Sequence, residues 1–203
     1  AILLLKDLIG CAEDTDQKRA IVSAMGTATR TPYNSDYSDD LLVMINSDTA
    51  TILSAWVDIL ATVPLLVKQK IEHDAFWLAR HRTNDSIRRL TLRVKDELDH
   101  DSEYQIFKVL IGFEGVFSDW PAERTSPQHL RSDVQEEREV REAKLEAISR
   151  TVAQTNYPEW ANRIVQYAEI ESQDLATFTY FVKFLERLAV NAPRMAFKLI
   201  DDH

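Results

Sequence analysis

The chain is poor in glycine and has one cysteine, and each shortage excludes a class of structure. It has four glycines in 203 residues, against roughly 7% in an average protein. Tight hairpin turns and phosphate-cradling loops both use glycine, so an all-hairpin sheet and a glycine-rich nucleotide site are disfavoured. With Cys11 alone no intrachain disulfide is possible, which favours a reducing compartment. We therefore predict a cytoplasmic protein, with Cys11 as a small core residue.

Long apolar runs are absent too. No segment approaches the ~18 uninterrupted apolar residues of a membrane-spanning helix, and the apolar start of the chain is broken by Lys6 and Asp7. The formal net charge is −9, which argues against a general binder of nucleic acid or anionic membranes. The sequence therefore predicts no membrane partner and does not favour nucleic acid.

What the chain does have is helical periodicity. Apolar residues recur at steps of three and four nearly throughout, for example at Ile52, Trp56, Ile59 and Val63. Strong helix formers fill the positions between them, and no segment alternates like a half-buried strand. We predict an all-α fold of about ten or eleven helices in antiparallel pairs.

Polar residues and prolines mark the expected helix starts. The candidate N-caps are Ser47, Thr83 or Asn84, and Asp101 or Ser102. Pro64 fits a first helical turn, and the Ser47 cap would end a short helix over 41–45. We expect one helical domain over 1–203, with a possible sub-boundary near 118–132, where turn-forming residues cluster.

Two stretches of the chain are alike. WVDILATVPLLVKQKI (56–71) and FLERLAVNAPRMAFKLI (184–200) both have an apolar helix, Leu-Ala, a short gap, proline and a second apolar helix with a lysine. They resemble irregular HEAT or armadillo-type α-solenoid repeats, in which paired helices stack and proline often lies near the turn. The resemblance implies an α-solenoid-like array. The sequence has no G-x-S-x-G, P-loop, G-x-G-x-x-G, H-E-x-x-H or C-x-x-C motif, so we expect no cofactor and no catalytic residue. A compact multi-helix bundle is the alternative.

A role follows from this resemblance. A solenoid unit cannot bury its apolar face alone, and both ends of this sequence are apolar. We therefore expect a segment of a larger intracellular protein, acting as a non-catalytic scaffold or protein-interaction domain. Its partner would be another protein or adjoining domains of the same chain.

Two His-Asp pairs are the strongest candidates for chemistry. They resemble the metal ligands of the all-α HD phosphohydrolases, which are a separate His, a His-Asp pair and a later Asp. The resemblance would assign His73, His100, Asp101 and either Asp119 or Asp174 as ligands. It implies metal-dependent hydrolysis of a phosphate ester. His100 and Asp101 lie in the polar segment KDELDHDSE, however, and we favour an aspartate-rich helix cap there.

A basic segment, 79–95, interrupts the acidic chain. Arg82, Arg89 and Arg93 fall near one helical face, and guanidinium groups bind phosphate and carboxylate well. This face is a candidate docking surface for nucleic acid or an acidic partner, which makes a nucleic-acid-associated helical module the second alternative function. We favour a solvated surface with ion pairs at helical spacing. The acidic residues within reach are Asp85, Asp96 and Glu97.

Overall fold

A computed structural model describes residues 2–30, 37–81, 84–112, 120, 129–170 and 178–202. Within these ranges all regular structure is helical, with ten α-helices and a short 3-10 helix at Gln154–Asn156. The α-helices are Ile2–Cys11 (α1), Thr15–Ala28 (α2), Asp39–Ile59 (α3), Leu65–His81 (α4), Asp85–Asp99 (α5), Ser102–Leu110 (α6), His129–Thr151 (α7), Tyr157–Ala168 (α8), Phe178–Asn191 (α9) and Pro193–Asp202 (α10). The prediction of an all-α fold is confirmed. None of these helices has the length and apolar character needed to cross a bilayer.

Several helix starts lie where the sequence predicts them. Asn84 caps α5, since its side-chain oxygen accepts from the backbone N–H of Ser86 at 2.9 Å and of Ile87 at 3.2 Å. Asp101 caps α6, accepting from the N–H of Tyr104 at 2.9 Å. Both side chains satisfy N–H groups that have no partner inside the helix.

The helix start predicted at Ser47 was wrong. One continuous helix, α3, runs through this position, and its N-cap is Ser38. The backbone carbonyl of Ser47 accepts from the hydroxyl of Thr51 at 3.0 Å, an arrangement that a helix interior tolerates. No proline or glycine lies within α3 to interrupt it.

The chain divides into two compact units. Unit 1 comprises Ala1–Tyr104 with Trp120–Arg124, and unit 2 comprises Gln105–Asp119 with Thr125–His203. The first division falls inside α6. The single domain over 1–203 and the sub-boundary near 118–132 stay predictions.

Unit 1 is built from α1 to α5 and the first turn of α6. Its extensive packing joins α2 to α4, α5 to both α3 and α4, and α1 to both α2 and α3. Val22, Met25, Ile52, Trp56 and Ile71 are completely buried. Each such side chain contributes about 1.5–3 kcal/mol when it is removed from water.

Unit 2 packs α9 against both α7 and α10. Aromatic side chains fill much of its interior. Phe107 meets Tyr167 edge to face with ring centroids 5.4 Å apart, and Trp160 stacks on Phe184 at 5.6 Å. Offset and edge contacts of this kind add stability beyond the area they bury.

A buried arginine secures the end of α6 in unit 2. The Nε of Arg141 donates to the carbonyl of Val109 at 2.9 Å, and Nη2 donates to that of Gly112 at 2.9 Å. The guanidinium also lies 3.7 Å from the ring centroid of Tyr180. The carbonyls at a helix C-terminus have no intrahelical donor, so Arg141 supplies what α6 lacks.

Candidate functional site

The candidate metal ligands take different structural positions. His73 lies in the middle of α4, whereas His100 and Asp101 lie between α5 and α6. Asp101 caps α6 and pairs with Lys68, so it acts as the helix cap that the sequence favoured. The other possible ligands, Asp119 and Asp174, lie outside the described residues. Among the residues described, no group of three or more His, Cys, Asp or Glu side chains is placed to hold a metal.

His100 is exposed to solvent at the C-terminal end of α5. Its Nδ1 lies 2.7 Å from the carbonyl oxygen of Asp96. That hydrogen bond raises the pKa of His100, and the negative charge of Asp96 adds to the effect. A protonated histidine at this position also interacts favourably with the helix dipole.

His73 belongs to a polar chain along α4 that ends in a buried carboxylate. The two oxygens of Asp74 accept from Lys70 Nζ at 2.7 and 2.6 Å, and Asp74 Oδ1 lies 3.3 Å from His73 Nδ1. The Nε2 of His73 accepts from the indole N–H of Trp77 at 3.1 Å. Because an indole nitrogen only donates, the proton of neutral His73 is assigned to Nδ1, facing Asp74.

The hydrogen bonds from Lys70 and His73 keep Asp74 ionised, although the side chain of Asp74 is only 7% exposed. Burial by itself raises the pKa of Asp74, but hydrogen bonds from His73 and Lys70, together with the charge of Lys70, outweigh it and hold the pKa below its usual value. A buried carboxylate is stable only when it is paired and hydrogen-bonded in this way.

The carboxylate of Asp74 lies directly against α2. A Cβ added to Gly26 would lie 2.1 Å from Asp74 Oδ2 and 2.9 Å from its Cγ, well inside van der Waals contact. The absence of a side chain at Gly26 is therefore what allows α2 and α4 to pack around this charge.

A second polar contact joins α4 to the start of α6. The hydroxyl of Tyr104 donates to Glu72 Oε2 at 2.5 Å, and both residues are almost completely buried. Burial raises the pKa of Tyr104 well above its usual value, and the charge and hydrogen bond of Glu72 raise it further. The polar residues of α4 thus hold helices of unit 1 together.

The basic face of α5 is exposed. Arg89 and Arg93 lie one turn apart on the solvent side of the helix, and Arg82 lies outside the described residues. Arg89 donates to the hydroxyl of Ser86 at 3.3 Å. The ion pairs we expected with Asp85, Asp96 and Glu97 do not form in the part of the chain that is described: Asp96 lies beside His100 instead. A partner-binding role for these arginines stays a prediction.

Cys11 does not lie in the core, contrary to our expectation. It is exposed at the last residue of α1. The neighbouring residue Ile9 is buried, and two positions along a helix amount to a rotation of about 200°, so Cys11 points the other way.

The most exposed large apolar side chains of the described residues lie in the last two helices. Val190 is 80% exposed, Ile200 79% and Phe197 73%. Single exposed apolar residues are ordinary on protein surfaces, but a concentration of large ones marks an interaction site.

Phe197 and Ile200 lie on the exposed side of helix α10, and the opposite side of α10 packs on the rest of unit 2. Met195 and Leu199 are half-buried on the inner side. Asp202 accepts from the hydroxyl of Tyr157 at 2.9 Å, and Lys198 Nζ lies 4.3 Å from the ring centroid of that tyrosine. The exposed residues Arg194, Phe197, Ile200 and Asp201 are called the α10 face below.

The sequence shows 195–200 as an apolar helix but does not show which of its residues stay in water. Which of its apolar residues stay in water depends on where the helix packs, and no residue of α10 is completely buried. Comparison with known proteins adds no assignment, since no protein-family model, curated protein or solved structure matches this chain.

Proposed function

We propose that this chain is a non-catalytic α-helical scaffold of solenoid type, which serves as a protein-interaction domain of a larger intracellular, cytoplasmic protein. The observation that carries the proposal is the α10 face, where Phe197 and Ile200 are each more than 70% exposed. Leaving two large apolar side chains in water forgoes about 1.5–3 kcal/mol for each. Another protein, or an adjoining domain, would recover that free energy by covering them.

The packing order in unit 1 supports solenoid-type stacking, as the resemblance to HEAT and armadillo repeats implies. Among the described helices of the unit, every extensive contact joins helices that are one or two positions apart in the chain. Stacked helical repeats have this property because each repeat contacts only its neighbours. A closed bundle would also pack its first helix extensively against its last.

Hydrogen exchange distinguishes solenoid from bundle. Ile9 is a buried residue of α1, and Ile9→Asp should detach that helix. In a solenoid, exchange accelerates in α1 and in its neighbours α2 and α3, while α4 and α5 keep their protection. Leu4→Asp changes a residue that is 62% exposed in the same helix and is the matched control. Equal loss of protection across all five helices in Ile9→Asp would favour the bundle.

The polar residues of α4 support a non-catalytic role. Asp74 and Glu72 accept hydrogen bonds from Lys70, His73 and Tyr104, so their buried charges are used to hold the fold. Metal analysis of the purified chain tests this part of the proposal. Stoichiometric manganese, iron or zinc that is lost in His100→Ala would contradict the scaffold role and favour a phosphohydrolase.

The interaction role is tested at the α10 face. The chain and its Phe197→Ser/Ile200→Ser variant would be used as bait for proteins, and each captured protein would then be purified and its Kd measured. We expect at least one partner whose affinity falls by tenfold or more in the variant. Val43→Ser/Met44→Ser, at exposed apolar residues of α3, is the control. If every partner binds both variants equally well, the α10 face is not the interaction site.

A further inference from the structure

The α10 face has charges of opposite sign at its two ends. Arg194 precedes Phe197 by three residues and Asp201 follows it by four, so the three side chains lie on one side of the helix. All three are exposed. At 1.5 Å per residue the two charged positions are about 10 Å apart along the axis, with the apolar side chain between them.

Neither end charge is neutralised locally. Within the described part of the chain Arg194 and Asp201 form no ion pair, and a separation of about 10 Å is too great for them to pair with each other. The other cation of α10, Lys198, lies over the ring of Tyr157 in its own unit. The face therefore has a positive end and a negative end that no described residue pairs with.

The charge pattern of the α10 face is complementary to the same face of a second copy that runs in the opposite direction. If a second α10 lies antiparallel on the first, about a two-fold axis near the peptide between Phe197 and Lys198, each Arg194 faces Asp201 of the second copy. The two Phe197 rings then meet beside the axis, with Ile200 at the edge of the contact. An isologous dimer requires this self-complementarity of a single surface patch.

From this arrangement we infer that the occupant of the α10 face is a second copy of this chain, bound antiparallel through α10. The inference rests on the proposed function and names its partner. Two Arg–Asp pairs fix the direction and register of the helices, and the apolar centre supplies the affinity. A parallel pair would set Arg194 against Arg194 and Asp201 against Asp201, so the charges select the antiparallel arrangement.

The experiment measures the molar mass of the 203-residue chain by sedimentation equilibrium from about 1 to 100 µM. We expect a concentration-dependent dimer. Phe197→Ser should raise the dimer Kd at least tenfold, whereas Val43→Ser, at another exposed apolar residue, should leave it unchanged. We expect each variant to fold as the native chain does, because α10 contains no buried residue. Circular dichroism and thermal unfolding check this.

Charge reversal tests the geometry. In the Arg194→Asp variant both facing pairs of the dimer become acidic, and in the Asp201→Arg variant both become basic. Each variant alone should therefore raise the dimer Kd about tenfold or more. Mixing the two variants should restore a dimer made of one chain of each kind, because every acidic position then faces a basic one. The double variant Arg194→Asp/Asp201→Arg should also dimerise as the native chain does.

A native chain that stays monomeric to 100 µM would overturn the inference. So would a dimer that is indifferent to both charge reversals, or one that neither the mixture nor the double variant restores. These failures are distinct from failure of the proposed function. A monomeric chain that binds a different purified protein through Phe197 would keep the interaction role and remove only the second copy.

Discussion

The substitution Gly26→Ala tests whether the fit between α2 and α4 depends on a buried carboxylate. In a helix, alanine is ordinarily more stable than glycine by about 1 kcal/mol. Here the added Cβ would lie 2.1 Å from Asp74 Oδ2. Asp74 has a short side chain that is buried and bonded to Lys70 and His73, so it cannot swing aside freely.

The loss of stability in Gly26→Ala depends on whether the Asp74 side chain or the two helices move. If Asp74 turns away and loses its partners, a buried ion pair is broken, which costs about 3–5 kcal/mol. If the helices separate instead, overpacking costs about 1–3 kcal/mol. Subtracting the helix-propensity gain of about 1 kcal/mol leaves a net loss of up to about 4 kcal/mol, with about 2 kcal/mol as the central expectation.

Urea unfolding followed by circular dichroism measures this loss as a lower midpoint. Gly10→Ala is the matched control, since a Cβ there meets nothing within 4 Å and the variant should be as stable as the native chain or slightly more so. A second comparison uses the Asp74→Ala background. With the carboxylate removed, Gly26→Ala should no longer destabilise. If Gly26→Ala is as stable as the native chain with Asp74 in place, the close contact has no energetic role and the reasoning fails.

Three further predictions concern pH and a buried cation. The pKa values of Asp74 and Asp101 lie below their usual range, so the stability they contribute is complete above about pH 4 and is lost as pH falls below it; urea midpoints between pH 6 and 2.5 measure this. The pKa of Tyr104 is raised, so its contribution is complete below about pH 10 and is lost at higher pH. Absorbance at 295 nm should show tyrosine that ionises only on unfolding, and Tyr104→Phe should reduce that step by one residue. Arg141→Met should destabilise the chain by about 1–3 kcal/mol in urea unfolding, because buried carbonyls at the end of α6 lose their donor. Arg141→Lys should restore only part of the loss, since an ammonium lacks the planar fork, and full stability in Arg141→Met would contradict this role.

Local signals predicted the helices and several of their ends. The caps at Asn84 and Asp101 form as expected because capping involves residues only two or three positions apart. Ser47 carries the same signal and does not act as a cap. Thr49 and Ile52 beyond it are completely buried, and no proline or glycine before them interrupts the helix, so α3 continues through Ser47.

The role of Arg141 was missed, although the sequence holds a signal for it. The long charged segment 133–155 contains several arginines. Arg141 lies four residues before the buried Leu145, on the stripe that continues to Ser149 and Val152. A cation on an apolar stripe indicates a buried hydrogen-bonding role, whereas a cation between stripes indicates a solvated one.

The sequence by itself determined that the chain is helical and where several helices begin, because helix formation depends on contacts within about four residues. Only the tertiary structure decided which charged groups became internal. Lys70 and His73 are joined to a buried carboxylate, while the exposed Arg194 and Asp201 remain at the surface beside Phe197. The physical reason is that burial and pairing depend on which helices meet, and residues far apart in the chain determine that.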